Sequence, residues 1–114
     1  MKLSYLDNQD SNLIITLQGD MDASGCAKLR PQLEQLVDDQ QHINIELDFS
    51  QVGFLDSSGI GVIVFLYKRL TSQGRKLQLT HVCGQPQELM QLLRIDQAIP
   101  VSMEESSVLS GTAG

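Results

Sequence analysis

Tryptophan is absent, and aromatic residues make up only 4% of the chain, three Phe and two Tyr. A protein built to stack on bases or sugars needs more flat rings than that. Basic side chains are also scarce, with eight Lys and Arg against 14 Asp and Glu for a formal net charge of −6. That balance disfavours nucleic acid and anionic membranes and suits a protein partner with a basic face. The longest run without a polar side chain, Gly59 to Tyr67, falls far below the roughly 18 residues of a membrane span, so no membrane insertion is expected. The opening MKLSYLDNQD lacks the apolar core of a signal peptide, which makes the cytosol the expected compartment. Cysteine is nearly absent too. Cys26 and Cys83 are far apart and in no CxxC or Cys/His spacing. They read as reduced, buried thiols, neither a disulfide framework nor a metal site.

Enzyme signatures are missing as well. There is no GxSxG nucleophile elbow and no GxxxxGK phosphate loop. A receiver would want an acidic cluster with a metal, and Asp48 and Asp56 lack the partners in sequence to argue one. His42 and His81 acquire no role. The chain therefore reads as a non-enzyme without cofactor or metal.

What is present is ordinary globular material. With 114 residues, 41% of them apolar and 19% charged, one domain with a proper core is expected. Leu3 and Tyr5 suggest a short strand, and Asp7 to Asn12 a turn. Leu13, Ile15 and Leu17 then alternate with other residues as a second strand, paired antiparallel to the first. Gly19-Asp20-Met21-Asp22 breaks that pattern and leads into a helix with an apolar stripe at Cys26, Leu29, Leu33, Leu36 and Val37. Pro31 interrupts this helix, which either kinks near Ala27 or begins close to Arg30; the single kinked helix is favoured. Ile43, Ile45, Leu47 and Phe49 alternate as a third strand, and Lys76 to Val82 forms a fourth with Leu77 and Leu79 inward. Gly84-Gln85-Pro86 opens a further helix with the stripe Leu89, Leu92 and Leu93. Ala98 to Val101 suits an edge strand, and Glu104 to Leu109 one helical turn.

The fold class that follows is α/β. It is a single domain over 1–102 with a tail over 103–114. Its sheet is mixed and mostly parallel, with four to five strands, an N-terminal antiparallel hairpin and helices mainly on one face.

The richest stretch is DFSQVGFLDSSGIGVIVFLYKRL, from Asp48 to Leu70. A strand gives way to a helix whose N-cap position falls on Asp56, with Ser57 and Ser58 in its first turn and Lys68 and Arg69 near its end. Two hydroxyls thus stand at a helix N-terminus beyond the end of a central strand, where open α/β sheets place their working groups. On local physics alone the serines are first-turn residues, Gly59 and Gly61 permit close helix–sheet packing, and Asp20 and Asp22 are a solvated turn and cap.

Two motifs in order, Gly19-Asp20-Met21-Asp22 and Leu55-Asp56-Ser57-Ser58-Gly59-Ile60-Gly61, make the chain resemble the STAS domain family across nearly its whole length. Without long flanking regions, it is most similar to the stand-alone anti-sigma factor antagonists. The resemblance implies an anti-sigma factor that is also a serine kinase as partner, and a serine phosphatase that reverses the modification. It implies Ser58, the hydroxyl directly before the motif glycine, as phosphoacceptor. It also implies Asp20, Asp22, Asp56, Ser57, Ser58, Gly59 and Ile60 as the partner-binding set. A different class stays open beside it: a structural STAS subunit of a lipid transporter ATPase, in which the serine is never modified.

Overall fold

A computed structural model describes residues 1–8, 10–39 and 42–103. The helical turn expected around Glu104 to Leu109 lies outside them. The order is β1 (Lys2–Asn8), β2 (Asn12–Met21), α1 (Ala23–Asp39), β3 (Asn44–Leu55), α2 (Ser57–Ser72), β4 (Lys76–Val82), α3 (Gly84–Leu92), α4 (Ile95–Ala98) and β5 (Val101–Met103). The sheet runs β1-β2-β3-β4-β5 in space, with β1 antiparallel to β2 and every other pair parallel.

The three crossovers all advance in one direction across the sheet, and with the right hand usual for such connections that places their helices on one face. On that face Leu13, Ile15 and Leu17 meet Ile45, Leu47 and Phe49, and Leu77 and Leu79 continue the layer, all essentially inaccessible. Leu29, Leu33 and Val37 of α1 and Ile63, Leu66 and Leu70 of α2 complete the same cluster. Each such side chain contributes about 1.5–3 kcal/mol by leaving water. The other face is largely polar, apart from the Leu6–Ile14 pair at its β1 side. Thr80 Oγ1 donates to Glu46 Oε2 at 2.9 Å, and Gln78 Nε2 donates to Glu46 Oε1 at 3.3 Å.

Several boundaries differ from the sequence reading. β2 does not stop before Gly19. It continues to Met21, because Gly19 adopts a φ of +120° at a register irregularity and the ladder then resumes. Ile43 is not the first inward strand residue; it lies before β3 and is half exposed. β3 in turn runs past Phe49 to Leu55, its alternation broken at Ser50 and Gln51. The stripe expected on α3 is displaced: Pro86 and Met90 are buried, Leu89 packs on their flank, and Leu92 and Leu93 are exposed. The regular helix ends at Leu92, and Arg94 takes a left-handed φ of 59°. The chain thereby turns into α4, unforeseen in the sequence, which buries Ile95, with Ile99 anchored just beyond it. Pro100 stands just before β5 and its carbonyl accepts from Leu79 N–H at 2.9 Å.

Pro31 lies inside α1, which is a single helix over its 17 residues. The ring is exposed, so it adds nothing to the core while depriving the Ala27 carbonyl of its helical donor. Pro31→Ala should therefore stabilise the domain by about 1–3 kcal/mol, read from urea denaturation. An unchanged midpoint would mean that the helix already accommodates the ring without loss.

Candidate functional site

β2 and β3 pair in parallel to their last residues, Asp20 beside Phe54 and Met21 beside Leu55. The two helices that follow therefore start next to each other, and both are capped by aspartate. Asp22 Oδ1 accepts Gly25 N–H at 2.8 Å, and its carbonyl accepts Cys26 N–H at 2.9 Å. Asp56, extended at φ −121°, accepts Ser58 N–H at 2.8 Å and Gly59 N–H at 3.4 Å through Oδ1. Asp56 N–H donates back to the Met21 carbonyl at 3.3 Å, tying one loop to the other. A carboxylate at each N-terminus offsets part of the dipole there, a favourable arrangement in both helices.

The residues singled out in the sequence are brought to this one edge, but they do different things. Asp20 and Ser57 are exposed, and Asp22, Asp56, Ser58 and Ile60 are half-buried. Ile60 spends part of its surface against the core. Gly59 is buried and offers a partner no accessible surface: a Cβ there would run into Leu55 Cδ1 and come within 2.9 Å of Met21 Cβ. Its contribution is to let α2 press onto the strands. Gly61, read in the sequence as a second packing glycine, is not one. It is exposed, and a Cβ there would meet nothing within 4 Å.

Gly61 instead faces a groove of about 540 Å³ between α1 and α2. Cys26, Ala27, Arg30, Pro31 and Glu34 form one wall, and Ser57, Ser58, Gly61 and Val62 the other. Arg30 pairs with Glu34 at 2.9 Å and lays its guanidinium 4.1 Å from the Phe65 ring centre. Farther along α2, Arg69 donates twice to Asp38, at 3.1 and 2.7 Å, and the pairing raises its pKa. The Cys26 thiol is also pushed up, first by burial and then by the charges of Asp56 and Asp22. It is thus a neutral, inert group at neutral pH.

Sequence reasoning missed Arg30 and Pro31 as groove walls and Phe54 as an exposed aromatic beside Asp20. It also missed Gln85, which donates to the Leu55 carbonyl and accepts from the Leu55 N–H, each at 2.8 Å. An amphipathic pattern shows which α1 residues face the core, but not which of the rest face a neighbouring helix.

The family model described as "Mlab, STAS domain" matches residues 4–105. An anti-sigma F factor antagonist of Paenibacillus polymyxa is 26% identical over 98 residues, covering 86% of this chain and 84% of that protein. Among solved structures, an anti-sigma factor antagonist from Mycobacterium paratuberculosis superposes with a TM-score of 0.78 at 18% identity, covering 99% of this chain and 96% of the other. The Bacillus cell fate determinant SpoIIAA in its phosphorylated form superposes with a TM-score of 0.67 at 17% identity, over 94% of this chain and 96% of that one.

The two glycines make a paired test. Gly59→Ala should destabilise by about 1–3 kcal/mol through overpacking. Gly61→Ala, in an open mid-helix position, should stabilise by about 0.5–1 kcal/mol. Thermal melts of both variants check this, and equal shifts would contradict the packing role assigned to Gly59.

Proposed function

This chain belongs to the STAS domain family, and we propose that within it the protein is a regulatory binding module of the anti-sigma factor antagonist type, switched off by phosphorylation of Ser58. The observation that carries the reading is the place of Ser58. It sits in the first turn of α2, its N–H held by Asp56, at the mouth of the α1–α2 groove, with Asp20 near the end of the adjoining strand and Asp22 at the α1 cap just beyond it. The P. polymyxa relative, itself an anti-sigma F factor antagonist, supports the same reading.

The partner is an anti-sigma factor with serine kinase activity, and a serine phosphatase restores the unmodified state. Docking covers Asp20, Ser57, Ser58 and the accessible parts of Asp22, Asp56 and Ile60. A phosphate on Ser58 brings about −1.5 to −2 charges to this edge. The helix dipole favours it locally, while a partner that had covered a neutral hydroxyl must now bury a dianion among carboxylates. The work is done by binding, with no reaction catalysed by this chain, and the setting is the cytosol.

The matched model is named for Mlab and not for an antagonist, which favours keeping a second reading: a STAS subunit of a lipid transporter ATPase in which Ser58 is only a first-turn residue. Intact mass after incubation with an anti-sigma serine kinase and ATP separates the two. A gain of one phosphoryl group, abolished in Ser58→Ala with the fold unchanged, is the expected result. No gain, or label that persists in Ser58→Ala and maps to Ser57, would overturn the assignment.

The acidic edge yields a second test. Asp22 is occupied in capping α1, and Asn would cap as well. The exposed Asp20 is the freer charge. Asp20→Asn should slow association with the basic face of the partner severalfold at low salt and converge with the parent at high ionic strength. Stopped-flow traces at two salt concentrations measure this. Identical low-salt on-rates would remove Asp20 from the encounter surface.

A further inference from the structure

β3 outruns its neighbour. Its ladder with β4 ends at Asp48 beside Thr80, while its ladder with β2 continues to Leu55. Over the last turn of the strand the β4 side has no strand to pair with, because His81 takes a φ of 56° and Gly84 one of +62°, and the chain veers off into α3. One residue of α3 fills part of that gap. The Gln85 carboxamide accepts Leu55 N–H and donates to the Leu55 carbonyl, both at 2.8 Å. A primary amide presents the same donor and acceptor pair as a peptide group, so the side chain stands in for a residue of the missing strand.

We infer that Gln85 is a positioning residue for the Ser58 site, deepening the reading given above. Leu55 is the last residue of β3, and Asp56 follows it directly. Holding the Leu55 peptide from the β4 side fixes where the Asp56 carboxylate begins, and Asp56 in turn holds the Ser58 and Gly59 amides. On the opposite side Met21 performs the matching task through its carbonyl bond from Asp56 N–H. The start of α2 is therefore located through two flanking elements, β2 by the Met21 carbonyl that accepts from Asp56 N–H and α3 by the Gln85 side chain that holds Leu55. Gln85 never contacts Ser58 in this account; it acts through Leu55 and Asp56.

The test uses the full chain and amide hydrogen exchange read by NMR. Gln85→Met keeps the length of the side chain and removes both bonds. The expected result is exchange at Leu55, Ser58 and Gly59 faster by about tenfold or more, with the core amides of Ile15 and Leu79 unchanged. Uniform acceleration at all five would reduce Gln85 to a contributor to global stability, and no acceleration would refute the inference. Should Gln85→Met not fold, Gln85→Glu carries the same comparison, since it keeps the acceptor for Leu55 N–H and loses the donor to the carbonyl. In parallel, kcat/KM for phosphorylation of Gln85→Met by an anti-sigma serine kinase should fall about tenfold, as a small misplacement of the acceptor turn requires. An unlabelled parent protein would refute the Ser58 reading alone, and the exchange data would still decide the role of Gln85.

Discussion

The parallel pairing of β2 with β3, carried to the final rung of Met21 against Leu55, is the constraint on which the rest depends. Parallel strands end on the same edge, so the chain must begin two helices there side by side. Two helix N-termini close together would face each other with like partial charges. The aspartate caps answer that directly, one carboxylate to each dipole. The groove between α1 and α2 follows from the same geometry, and so does its mouth at Ser57 and Ser58. The pairing holds despite two register irregularities, one before Gln18 and one between Gly19 and Asp20. Bulges near a strand end commonly re-aim side chains. Here the result is that Met21 turns inward while Asp20 remains in solvent.

Much of this could be read from residue order because the relevant signals are local. The strands with strict alternation, around Leu13 to Leu17, Ile45 to Phe49 and Leu77 to Leu79, are inward where period two places them. The Asp56 cap was legible from the hydroxyl pair and the apolar run behind it. What escaped depends on partners distant in sequence. β3 beyond Phe49 loses its alternation, yet β2 still pairs with it, and only the neighbour reveals the strand. Leu92 and Leu93 looked like core because leucine at helical spacing usually is. The chain needed to turn at Arg94 to bury Ile95 and Ile99, which left both leucines on the rim. Gln85 carries no signal at all: a glutamine in a first helical turn is unremarkable until the Leu55 peptide it faces is known.

Within the motif, a rotation of about 100° per residue assigns successive positions to different tasks. Asp56 caps, Ser57 faces solvent, Ser58 stands at the groove mouth, Gly59 points into the strands, Ile60 lies partly on the core and Gly61 opens to the groove. The two glycines therefore have unrelated reasons. A side chain at position 59 would push α2 off Met21 and Leu55. One at position 61 would enter the groove between α1 and α2 without touching the fold. Gly61 is thus the motif residue for which stability gives no account, and the groove it keeps open does.

Magnitudes decide why a phosphate at this edge would be read by a partner more than by the domain. Next to the first turn of α2 the dipole returns about 0.3–1 kcal/mol for a negative charge. The caps at Asp22 and Asp56 already use that field, and their repulsion of a new anion acts across water-exposed space with a high effective dielectric, so it stays small. Both effects on the fold are thus comparable and opposed. In a docked complex water leaves the same edge. Burying an unpaired charge then costs several kcal/mol, and the nearby carboxylates worsen it because solvent no longer screens them. Association has to supply that free energy from the rest of the interface, and a standard interface has little surplus. A site that is nearly neutral to modification when free and strongly unfavourable when covered is what the proposed binding switch would require, and the exposure of Ser57 and Asp20 around a half-buried Ser58 is compatible with it.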